Sequence, residues 1–105
     1  MDVYWQSIVH GMDKLSDEKL EELSRDSENA HRALVQGIGA IGSLMVTAGD
    51  SDDFGDNEAK AHLAPIGDLL MQLSRYSQAL FENAGNAEFE LKQREQKSAV
   101  AKKTK

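Results

Sequence analysis

The residues whose types and spacing could carry chemistry fall into three groups. The first is the glycine pattern Gly37-Ile38-Gly39-Ala40-Ile41-Gly42. A G-x-G-x-x-G run binds dinucleotide phosphates only when a buried strand precedes it, a helix follows it and an acid waits further on for the ribose. Here the preceding residues 26–32 are polar and helical in pattern, and the chain is too short for the sheet. Gly37, Gly39 and Gly42 are therefore expected to be close-packing residues that let two helix backbones approach. They are not expected to cradle a cofactor, and no cofactor is expected for the chain.

The second group is the acidic run of residues 50–58. Asp50, Asp52, Gly55 and Glu58 match parts of a calcium loop. Phe54 cannot ligate, however, and Ala61 occupies the place of the bidentate glutamate that such loops require. A solvated acidic loop is the expectation. The third group is His10, His31 and His62. In a hairpin with its loop near Asp53, His31 falls near the end opposite the loop and His62 near the loop, so they cannot share one ion and no metal site is expected. No Ser-His-Asp or Cys-His arrangement is evident, cysteine is absent, and the chain is expected to be non-enzymatic.

The elements that must position these residues are helical. The chain has 105 residues, one proline and few β-branched residues, which favours a single all-α domain. Ala30, Leu34, Ile38, Ile41, Met45 and Ala48 recur at spacings of three and four. So do Ala59, Leu63, Ile66, Leu70, Leu73, Ser77, Leu80 and Ala84. Each series is one apolar face of a long helix. A turn near Asp53 makes them an antiparallel hairpin, in which facing residue numbers add to about 107. Leu34 then meets Leu73, Ile38 meets Leu70, Ile41 meets Ile66 and Met45 meets Leu63. Pro65 is expected to kink the second helix or to begin it. Gly49 is expected to end the first helix in the left-handed region, and Gly85 to stop the second.

Ahead of the hairpin, residues 2–15 read as one amphipathic helix and residues 17–25 as a short second one, which either merges into the long helix or breaks near Asp26 and Ser27. The fold expected is therefore short N-terminal helices followed by a long hairpin, closing into a four-helix bundle if the chain dimerises. Residues 1–91 form the helical domain and residues 92–105 a basic, flexible tail.

Charge divides the same way. Residues 1–91 carry 6 basic and 17 acidic side chains, whereas residues 92–105 carry 6 basic and one acidic. An acidic body repels nucleic acid and anionic membrane and favours basic protein surfaces. The longest apolar run, residues 33–48, is too short to span a bilayer, and no basic segment precedes an apolar one at the N-terminus. With no cysteine, a cytoplasmic setting is the expectation.

These readings favour a regulatory or adaptor protein that binds another protein through helical surfaces, as a homodimer. One alternative is an acidic inhibitor that imitates nucleic acid and blocks a basic nucleic-acid-binding protein, with Asp17, Glu18, Glu21, Glu22, Asp26 and Glu28 as the contact. Another is nucleic-acid contact through the tail, the weaker case without interleaved aromatics. Tyr4 and Trp5 are the candidate aromatic anchors for a protein partner.

Overall fold

A computed structural model describes residues 2–103 of the chain, with side chains through Lys102. The order of elements is α1 (Val3–Ser7), a 3-10 turn (Met12–Lys14), α2 (Asp17–Gly49) and α3 (Asp56–Lys103). Among the described residues there is no strand. α2 and α3 form an antiparallel hairpin packed along their lengths, and α1 docks on α3. The molecule measures 75 × 27 × 15 Å. A thickness of 15 Å is little more than one helix diameter, so most of the hairpin is a single layer of two helices.

The seam lies where the apolar spacing placed it. Leu34, Ile38, Ile41 and Met45 on α2, and Ile66, Leu70 and Leu73 on α3, are half-buried, while Leu63 stays 55% exposed. His31 bonds to Ser77, which fixes the expected register of facing residues. The seam also runs beyond the predicted hairpin, through Ser27 and Leu20 on α2 and Ala87 on α3, all buried.

α2 starts where Ser16 caps it, its hydroxyl accepting from the Lys19 N–H at 3.1 Å. Asp17 and Glu18 then sit at the positive end of the helix dipole. Of the two alternatives at residues 26–27, the short helix merges with the long one rather than breaking, because Ser27 is buried in the seam and caps nothing. The expected left-handed Gly49 is also corrected. Gly49 is still helical and Asp50 ends the helix in the right-handed region.

α3 runs through Pro65, which lies on an exposed face. The proline withholds one N–H from the helix ladder, and the carbonyl left over faces solvent. α3 also runs through Gly85, because Asn83, Ala84 and Ala87 on either side of it are covered by packing. The segment expected as a loose tail is helical through Lys103, and Lys105 lies outside the described residues.

The continuous helix expected over residues 2–15 is the largest difference. α1 stops at Ser7, Ile8 is extended, and Gly11 has φ of 72°, the only positive φ among the described residues. Glycine is the residue that takes this region without strain. The extended link is held by a side chain more than seventy residues away in sequence. Asn83 accepts from the Val9 N–H and donates to the Ser7 carbonyl, both at 2.8 Å. An asparagine used this way replaces the two helical bonds that the link gives up.

Candidate interaction surface

Three regions of the hairpin carry the residues singled out by the sequence. At its base, α1 presents the aromatic pair. Tyr4 and Trp5 meet edge to face at 5.0 Å. The Arg75 guanidinium lies 4.6 Å from the Tyr4 ring centre and donates to the Asp2 carboxylate at 2.8 Å. That bond holds the Asp2 carboxyl below its ordinary range. Tyr4 is thus committed to fastening α1, while Trp5 remains 58% exposed.

The acidic residues of α2 are spread around the helix and are largely engaged. Asp17 pairs with Arg94, Glu22 with Lys19, Asp26 with Arg25 and Glu28 with Arg32. Glu18 and Glu21 are exposed. Arg94 is the most connected of these partners. It donates to Asp17 at 2.8 Å, to Glu90 at 3.1 Å, and to the carbonyls of Met12 and Asp13. The bonds it donates to Asp17 and Glu90 favour its charged form and raise its pKa. A residue read as part of a loose basic tail is instead the pin between the C-terminal helix and the 3-10 turn.

The histidines are placed apart. His31 reaches across to Ser77, with Nδ1 2.7 Å from the hydroxyl and 3.0 Å from the carbonyl oxygen. Phe81 covers the same ring at 5.4 Å. Ser77 is only 4% exposed and lies in the seam, so no substrate carbonyl reaches its hydroxyl and the pair acts as a polar lock between helices. His62 stacks on Phe54 beside the connecting loop, and His10 is exposed in the link after α1. Among the described residues no three His, Asp or Glu side chains converge as metal ligands. In the loop the Ser51 hydroxyl accepts from the Asp53 N–H, closing a turn.

The distal half of the hairpin has a different character. Residues 33–49 of α2 contain no charged side chain on any face. Only one face of that segment meets α3. Leu44 is 70% exposed and Val46 66% exposed, and Met71 across on α3 is 68% exposed. Near the loop, Ile41, Met45, Phe54 and Ile66 help to line an apolar hollow of about 370 Å³. Large apolar side chains left exposed on both flanks of an uncharged helical segment make this end of the hairpin a candidate contact for another molecule.

Gly37, Gly39 and Gly42 lie in this segment, and the close-packing role expected of them is not played inside the chain. All three are exposed, and a Cβ at any of them would meet nothing within 4 Å. The seam residues hold the inner face, so the glycines fall on the two flanks. No helix of the described residues is long and apolar enough to cross a membrane.

Fold and surface together define an elongated all-α hairpin with a pinned base and an uncovered apolar end. Comparison with known families, characterised proteins and solved structures gives no match to this chain. Its function is read from these residues alone.

Proposed function

We propose that this chain is a non-enzymatic protein-interaction element, a regulator or adaptor, that works through the distal half of its α2–α3 hairpin. One observation carries the reading: residues 33–49 are uncharged all round, yet only their inner face is covered. Water against Leu44, Val46 and Met71 is unfavourable by about 25 cal/mol for each Å² of apolar area. A helical partner that removes this area supplies the driving force for binding. At the base of the molecule Asn83 and Arg75 hold α1 and its link against α3, and Arg94 ties α3 to the start of α2. Trp5 offers a second, smaller anchor at the base. The acidic-inhibitor alternative gains nothing from the geometry, since most of its carboxylates already face basic partners within the chain.

The test is affinity capture of the tagged full chain from its native cell, run beside light scattering of the purified chain. Replacing Leu44 and Val46 with lysine is expected to abolish the association while leaving the helical circular dichroism intact. A wild-type chain that stays monomeric and captures no protein sinks the reading.

A further inference from the structure

Resting on that interaction reading, we propose that the distal surface takes one amphipathic helix of another protein, apolar along one stripe and basic at the end that lies over the connecting loop. The site is the apolar hollow near the loop, with the flank of the hairpin that leads away from it. The hollow, of about 370 Å³, is walled by Ile41, Leu44 and Met45 on α2, by Leu63 and Ile66 on α3, and by Phe54 in the loop. His62 is the one lining residue that can ionise, and its ring stacks on Phe54. Helical spacing carries the flank on from Leu44 through Gly37 and Ala33 on α2, and from Ile66 through Leu69, Leu73 and Tyr76 on α3. Leu69 is 48% exposed and Tyr76 40% exposed.

Charge and shape select this occupant. Asp50, Asp52, Asp53, Asp56 and Glu58 are all exposed, and among the described residues none of them has an ion-pair partner. On α2, by contrast, Asp17, Glu22, Asp26 and Glu28 each face a basic side chain. Asp50, Asp53 and Glu58 are the chain neighbours of Gly49, Phe54 and Ala59, which line the hollow. Their Cα atoms therefore lie about 3.8 Å from those of lining residues. Lys60 is the one lysine or arginine in residues 49–63, against these five acids. An unneutralised negative rim beside an apolar hollow attracts apolar side chains flanked by lysine or arginine, and repels an acidic helix or nucleic acid. The flank itself carries no charge. Residues 33–49 of α2 have none, and Asp68 and Arg75, the charged residues of α3 between 61 and 81, lie opposite the seam by helical spacing. A groove between two helices is the shape into which an amphipathic helix lays its apolar stripe. The uncharged segment is about 25 Å long at 1.5 Å per residue, which matches a partner helix of about four to five turns. A Cβ at Gly37 would meet nothing within 4 Å, so a helix can approach the flank closely there. Towards the base the flank ends at the link that Asn83 holds.

The probes are two dye-labelled synthetic helices of roughly 16 residues, sharing one leucine stripe. One carries lysines at the polar positions of one end, and the other carries glutamates there. Each is titrated with the full chain and followed by fluorescence anisotropy. The lysine peptide is expected to bind at least ~10-fold more tightly than the glutamate peptide at low salt, and the gap to close at high salt. Leu44→Gln with Leu63→Gln is expected to weaken the lysine peptide at least ~10-fold, whereas Val46→Gln on the opposite flank leaves it unchanged. Asp50→Asn, Asp52→Asn and Asp53→Asn together are expected to bring it down to the level of the glutamate peptide. All the substituted side chains are exposed, and helical circular dichroism confirms the fold of each variant. Equal binding of the two peptides overturns the basic occupant. Lysine-peptide binding that survives Leu44→Gln with Leu63→Gln is adsorption by charge alone and overturns the site. If neither peptide binds, but the tagged chain captures a protein and Leu44→Lys with Val46→Lys abolishes the capture, the basic helix falls and the interaction reading stands. If the capture fails as well, both fall.

Discussion

Asn83→Ala tests the clamp that holds the link after α1 against α3. The Asn83 side chain is 3% exposed and holds the Val9 N–H and the Ser7 carbonyl, each at 2.8 Å. Two neutral hydrogen bonds contribute about 1 kcal/mol each, net of hydration. If α1 stayed docked, the abandoned N–H and carbonyl would add an unsatisfied-group penalty of about 1–3 kcal/mol each. α1 is five residues long, and its undocking lets water satisfy both groups. The undocking free energy therefore caps the loss, and about 2 kcal/mol is expected. Amide exchange read by mass spectrometry or NMR is the direct assay. The Val9 amide should lose most of its protection, while the Leu34 and Leu73 amides in the hairpin change little. Trp5 fluorescence should shift to the red as the Tyr4 and Arg75 contacts loosen. Asn83→Asp adds a sign. A carboxylate accepts from Val9 but repels the Ser7 carbonyl, and only its protonated form can donate there. Folding thus raises the pKa of the introduced group, so its stabilising contribution is present at low pH and is lost as the pH rises. Unchanged Val9 protection in Asn83→Ala would refute the clamp.

Three further outcomes are expected. The Asp2 carboxyl is depressed chiefly by its hydrogen bond from Arg75, so the stabilisation it gives α1 is present above the ordinary carboxylate pKa of 3.8 and is lost as the pH falls through its lower folded value. Trp5 fluorescence followed through acid titration should show this step, and Asp2→Asn should remove it. Arg94→Lys should fray the end of α3, because a single ammonium cannot serve Asp17, Glu90 and two carbonyls as the guanidinium does. Circular dichroism and exchange at the C-terminal amides measure the loss. Ser77→Ala should strand the His31 ring without its hydroxyl contact, lowering stability by about 1 kcal/mol in denaturant melts.

Much of the hairpin was legible because its signal is periodic. The spacing of Leu34, Ile38, Ile41 and Met45, set against Ile66, Leu70 and Leu73, gives both helices and their register. The His31–Ser77 contact follows from the same register, since those numbers also add to about 108, but polar residues in an apolar seam do not announce themselves as partners. The base was not legible for a different reason. Residues 2–15 are amphipathic enough to be a helix on their own, and only Gly11 hints otherwise. What breaks the helix is Asn83, more than seventy residues away in sequence, and local propensity carries no information about such a partner. The continuity of α2 and α3 was hidden similarly. Ser27, Pro65 and Gly85 each resemble a boundary locally, and each is overridden by burial or by facing solvent harmlessly.

The glycines of α2 bring the interaction reading to its sharpest test. Each costs a helix interior about 1 kcal/mol relative to alanine, and none is compensated by contact within the chain. In an isolated chain, Gly37→Ala, Gly39→Ala and Gly42→Ala should therefore stabilise equally, by about 1 kcal/mol each. They do not lie on the same flank. Gly37 aligns with Ala33, Ala40 and Leu44, whereas Gly39 and Gly42 align with Val35 and Val46. If the Leu44 flank is where a partner helix approaches, Gly39→Ala and Gly42→Ala should raise the melting temperature and leave binding of the lysine peptide unchanged. Gly37→Ala should raise the stability of the free chain but weaken peptide binding, so its benefit should shrink as peptide is added. Equal gains at every peptide concentration, with binding untouched, would mean that no backbone packs against this flank and that its apolar residues serve some looser contact.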